Sequence, residues 1–200
     1  MKHRLFLLAC AAVFLAACDS GASTIRTTVV AAPSEPGIQV TIDTSHYTIS
    51  GSTEAELRAE MNRRGPYGGD AYARWFVHWS YPTEAVSNAC DTGPIEVSVS
   101  VEYMLPEWTP PANADRALID KWNRYVAALQ LHEDGHRDFG IGAAKDVLLA
   151  LGALPPCPTC DDLNRAANTA ANAVLDRYRV QELAYDRTTS HGATQGARFP

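Results

Sequence analysis

From Leu118 onward, Leu118, Trp122, Tyr125, Val126 and Leu129 recur at spacings of three and four, and the stretch Leu131-His132-Glu133-Asp134-Gly135-His136-Arg137 continues the same period. This obliges the segment to fold as a helix with one apolar face buried. The residues that extend the face are His132 and His136, four apart and therefore one helical turn above one another. Burying two imidazoles and an acid without a partner is costly. The spacing instead points to an ion held between the two rings, the arrangement of the H-E-x-x-H pattern. Zn²⁺ suits it, because it accepts neutral imidazole nitrogen and, in a catalytic site, takes three protein ligands and leaves a fourth position to water. Glu133, beside His132, is then placed to take a proton from that water.

Lys2 and Arg4 precede an apolar run from Leu5 that ends in Leu15-Ala16-Ala17-Cys18. Residues 1–17 read as a signal peptide, too short for a stable membrane span. Its last four residues resemble the bacterial lipobox, which implies cleavage before Cys18 and acylation of the Cys18 thiol; a plain secretory signal is the alternative. Two or three acyl chains would anchor the protein stably. Residues 18–45 read as the lipidated cysteine and a flexible tether rich in Ser, Thr, Ala, Gly and Pro. Residues 46–200 remain for one folded domain with a real core. The formal charge is −6, and loss of Lys2 and Arg4 makes it −8. An acidic domain of this kind argues against a nucleic-acid partner.

Within the domain, Tyr47 to Gly51 reads as a short strand, and Thr53 with Glu56 is a capping-box start for a helix carrying Leu57 and Met61. Trp75, Val77, Trp79 and Tyr81 alternate with Arg74, Phe76, His78 and Ser80, and Ile95, Val97, Val99, Val101 and Tyr103 with Glu96, Ser98, Ser100 and Glu102, so two further strands are predicted. Pro106 to Pro111 should end the second of these. Asn113 or Asp115 should cap the motif helix. Gly135, Gly140 and Gly142 weaken helicity and predict a bend or interruption after His136, with room for another backbone near the ion. A last helix should start at Asp161 or Asp162 and run to about Tyr185. The expected class is α+β, a small antiparallel or mixed sheet packed against a metal-binding helix and C-terminal helices.

The order of these motifs resembles the DUF922 group, described as predicted secreted zinc-dependent proteases. The resemblance is carried by Tyr47 through Gly51, Gly65-Pro66, Trp75 to Tyr81, Leu105-Pro106-Glu107-Trp108, Trp122 through His136, and Tyr185-Asp186 with Thr189 and His191-Gly192. It implies a zincin-like fold and a zinc metallopeptidase acting on a protein or peptide substrate. With the leader, it places the chain in the bacterial cell envelope, membrane-anchored through Cys18 and facing the periplasm. The rival expectation is a non-catalytic envelope lipoprotein with a structural zinc.

A third zinc ligand must come from beyond His136. His191, in a Gly-flanked segment, is preferred as an imidazole; Asp186 and Glu182 are the alternatives. Tyr185 is the candidate donor to a developing oxyanion. An exported domain favours a disulfide, and Cys90 with Cys160 would tie the sheet to the helical half, with Cys157 as the second choice of partner.

Overall fold

The computed structural model describes residues 25–31 and 37–200, so the leader expected over 1–17 and the anchor expected at Cys18 lie outside them. In chain order the elements are β1 (Ile25–Ala31), β2 (Ile38–Ile49), α1 (Glu54–Arg64), β3 (Tyr72–Ser80), β4 (Thr83–Val86), β5 (Ala89–Thr92), β6 (Glu96–Trp108), α2 (Arg116–Gly152) and α3 (Cys160–Thr189). Short 3₁₀ turns follow α1 at Pro66–Gly68 and α3 at Ala193–Gln195. The main sheet has the order β1-β2-β6-β3, with β2 and β6 parallel and the outer pairs antiparallel, while β4 and β5 form a separate hairpin. Among the described residues the fold is therefore α+β, a small mixed sheet with three helices.

Strand β6 sits centrally because its alternation is the cleanest in the chain: Val97, Val99, Val101, Tyr103 and Leu105 are buried, and Ser98, Ser100 and Glu102 on the other face are half-exposed. It runs past Pro106 to Trp108, further than the proline suggests. β3 pairs with β6 only as far as Met104, so Pro106 lies where β6 is paired on one side alone, a place where a missing N–H is tolerated. The tether read over 18–45 is also corrected in its described part. Residues 38–45 belong to β2, with Ile38 and Val40 buried and Gln39 and Thr41 exposed.

Helix α1 starts as expected, with Thr53 Oγ1 accepting from the Glu56 N–H at 3.2 Å and Glu56 reaching back to the Ser52 N–H at 2.6 Å. Asp115 caps α2, accepting from the Ala117 N–H at 2.9 Å. The helix is uninterrupted over 37 residues. Its glycines admit side chains rather than a backbone: a Cβ on Gly140 would lie 2.5 Å from Trp75 Cβ, and one on Gly142 would lie 2.9 Å from Tyr178 Cε1. The cap of α3 is Thr159, whose Oγ1 accepts from the Asp162 N–H at 3.1 Å, and Asp161 and Asp162 fill the first turn. Trp108, Trp122, Tyr125 and Phe199 form one buried aromatic cluster, with Phe199 5.6 Å from Trp122 and 5.1 Å from Tyr125 between ring centres.

The disulfide joins Cys90 on β5 to Cys160 at the head of α3, and Cys157 is a half-buried free thiol. Cys157 still contributes, since its backbone and that of Cys90 exchange hydrogen bonds at 2.7 and 2.8 Å. Among the described residues, no helix is long and apolar enough to cross a membrane.

Candidate metal centre

On α2 the buried stripe runs Leu118, Trp122, Tyr125, Leu129, His132, Glu133, His136 and Gly140. One helix face thus begins as core and becomes a site. Among the described residues, His132, Glu133 and His136 are the buried polar or charged side chains. Helix α3 packs alongside α2 and presents Glu182 and Asp186, also four apart, toward the two histidines.

Asp186 Oδ1 lies 3.3 Å from His132 Nε2 and 3.1 Å from His136 Nε2. The donor atoms of these three residues fall within 4.8 Å of one another. The opposite ring nitrogens are each held outward, His132 Nδ1 at 3.0 Å from Gln195 Oε1 and His136 Nδ1 at 2.9 Å from Glu182 Oε1. Glu182 is itself fixed by the Trp75 indole N–H, which donates to the same oxygen at 3.0 Å. Each acceptor favours a proton on Nδ1, so that a neutral ring would turn its Nε2 lone pair toward the space beside Asp186, the arrangement by which outer partners orient histidine ligands. Two imidazole nitrogens and a carboxylate oxygen are a donor set that fits Zn²⁺ and leaves a position open.

The electrostatics distinguish the two rings. Burial lowers the His132 pKa against the opposing Gln195 hydrogen bond, which favours a neutral ring. Burial pulls His136 the same way, but the Glu182 hydrogen bond and the carboxylates of Asp186 and Glu133 outweigh it and raise the value. A positive charge is therefore favoured between Glu182 and Asp186. Burial pushes the Glu133 carboxyl up to about 7, against the attraction of His136 and a hydrogen bond from the Ala73 backbone. A carboxyl titrating near neutrality is suited to accept and return a proton.

His132, Glu133, His136 and Asp186 open onto a cavity of about 1060 Å³. β3 and the turn before it also line this cavity. Asp70 pins that turn: its carboxylate accepts from Arg58 and from the Tyr125 hydroxyl at 2.5 Å, and its carbonyl accepts from the Tyr47 hydroxyl at 2.7 Å.

His191, the preferred third ligand, is not one of the three converging residues. Its side chain is 80% exposed at the cavity mouth, with Nδ1 3.7 Å from Asp186 Oδ1. The alternatives divide the work: Asp186 joins the histidines, and Glu182 orients one of them. Tyr185, the residue expected to donate to an oxyanion, has its hydroxyl bonded within the protein. Its ring stacks on His132 at 5.0 Å and 11°, and its hydroxyl donates to the His132 carbonyl at 3.2 Å. Sequence reasoning missed Gln195 and Trp75, whose partners are 63 and 107 residues away.

A family model described as "Bacterial protein of unknown function (DUF922)" matches residues 44–192, a span that contains every residue of this centre except Gln195. No curated protein and no solved structure matches the chain.

Proposed function

We propose, for a chain that belongs to the DUF922 family, a zinc-dependent peptidase of the bacterial cell envelope that hydrolyses peptide bonds in protein or peptide substrates. The observation that carries this reading is the convergence of His132 Nε2 and His136 Nε2 on Asp186, with Glu133 buried at the same cavity. His132, His136 and Asp186 would hold the ion, and zinc when bound supplies a Lewis acid and lowers the pKa of water. Glu133 would take the proton from the attacking water and hand it to the departing amine nitrogen. His191, exposed at the mouth, would donate a hydrogen bond to the carbonyl oxygen as charge builds there.

A polypeptide substrate is supported by the cavity wall. β3 ends the sheet and lines the cavity with Tyr72 to Phe76, so an extended peptide could add to it as a further strand. Tyr67, Phe76 and Leu183, all exposed large side chains, border the same cavity. The envelope assignment rests on the leader pattern ending in Cys18, and the Cys90–Cys160 disulfide is consistent with an oxidising compartment.

The proximity of His191 to Asp186 favours one rival, a structural zinc closed by His191 as a fourth protein ligand, as in a non-catalytic lipoprotein. Hydrolysis of an unfolded protein by the zinc-loaded chain, compared with an equally loaded Glu133→Gln variant, separates the two.

A further inference from the structure

We propose that residues 190–199 form a strap that sets the metal affinity of the site, with Gln195 as the positioning residue for His132. The inference rests on the reading of His132 as a zinc ligand, but it can be tested without the ion. The chain leaves α3 through three consecutive left-handed residues, Ser190 (φ 50°), His191 (φ 51°) and Gly192 (φ 79°). Two non-glycine residues in that region are costly, so surrounding contacts must hold the turn. Gly192 is required by proximity as well: a Cβ there would stand 2.9 Å from His132 Cγ. The segment is closed on itself by the Gln195 and Ala197 N–H groups, which both donate to the Gly192 carbonyl at 2.9 and 3.0 Å. Its far end is anchored by Phe199, buried against Trp122 and Tyr125 on the motif helix.

This brings Gln195 into a hydrogen-bond circuit that starts and ends on His132. His132 Nδ1 lies 3.0 Å from Gln195 Oε1, the Gln195 amide N–H₂ donates to the Tyr185 hydroxyl at 3.1 Å, and that hydroxyl donates to the His132 carbonyl at 3.2 Å. The Tyr185 hydroxyl lies 3.1 Å from the amide nitrogen and 3.4 Å from the amide oxygen; with its own proton given to the His132 carbonyl it accepts from the nitrogen, and the oxygen faces the imidazole. Nδ1 must then carry the hydrogen, which leaves Nε2 as the free donor toward the metal position. Tyr185, stacked on the ring at 11°, removes the remaining rotational freedom.

Two measurements on the full-length protein test this. In the metal-free protein at pH 8, nitrogen-resolved NMR should find His132 as the Nδ1–H tautomer, and Gln195→Ala should shift it toward Nε2–H. A wild-type ring protonated on Nε2 would overturn the proposal. Zinc affinity, measured by competition with a chromophoric chelator, should fall 10- to 100-fold in Gln195→Ala. It should return to near the wild-type value in Gln195→Glu, which keeps an acceptor for Nδ1–H but cannot donate to Tyr185. Wild-type affinity in the alanine variant, or equal losses in both, would overturn it. A wild-type protein with the Nδ1–H tautomer and no affinity for zinc would count against the zinc reading while leaving the strap's positioning of His132 established.

Discussion

A Cβ placed on Gly135 would lie 2.4 Å from the hydroxyl oxygen of Tyr185 and 2.5 Å from its Cζ, so this glycine is the space into which the tyrosine ring fits between His132 and His136. Both atoms belong to a rigid ring, which can retreat only by losing its stack on His132. Gly135→Ala should therefore destabilise the fold by about 1–3 kcal/mol through overpacking, despite a gain of about 1 kcal/mol in helix propensity. It should also weaken zinc binding. Thermal melting checks it, and a variant that melts at or above wild type would show that the ring has room to spare.

That glycine shows how far the sequence was legible. The α2 stripe could be read directly, and so could the His132–His136 face, the capping box at Thr53 and the alternation of β3 and β6. The use of the glycines could not, because each is explained by a ring from another element: Tyr185, Trp75 or Tyr178. The tether boundary was misread because the Ser, Thr and Pro content of residues 19–45 outweighed the period of Ile38, Val40 and Ile42, which is that of a strand. Asp186 was placed below His191 because imidazole is the preferred ligand and His191 lies in a Gly-flanked segment. The overlooked signal was spacing, since Glu182 and Asp186 are four apart on one helix just as His132 and His136 are on another. Gln195 carried no local signal at all.

The Cys90–Cys160 bridge closes a sequence separation of 70 residues and holds the head of the helix that carries Asp186. Cys90→Ser should cost about 2–4 kcal/mol of stability. Denaturant unfolding of the two proteins, both exported to the periplasm, measures the difference, and equal midpoints would show that the bridge does not constrain the unfolded chain.

In the metal-free protein, burial raises the Glu133 carboxyl from 4.5 to about 7. A carboxyl held above its ordinary value favours the folded state while protonated, so its contribution is complete below about pH 4.5 and is lost as pH rises through about 7. A shift of that size corresponds to roughly 3 kcal/mol. Glu133→Gln removes this ionisation. The variant's melting temperature should exceed that of wild type at pH 8, and the gap should shrink by pH 5. A gap independent of pH would mean that Glu133 ionises normally in the fold.

Asp186 and His191 should separate cleanly. Asp186→Ala removes the oxygen on which both Nε2 atoms converge, so the purified protein should lose its zinc. His191→Ala should retain stoichiometric zinc and lose roughly 10²–10³ in turnover, the usual cost of one oxyanion donor. Metal analysis of both variants checks this. Loss of zinc from His191→Ala with retention in Asp186→Ala would exchange the two roles.

The most direct test is the rate of peptide-bond hydrolysis in an unfolded protein substrate by the zinc-loaded chain and by its Glu133→Gln variant at matched zinc content. Glutamine keeps the shape of the side chain but cannot accept the proton, so the account predicts cleavage by wild type and a rate lower by roughly 10²–10⁴ in the variant. Equal rates in the two proteins, or no cleavage by either while both hold zinc, would contradict it.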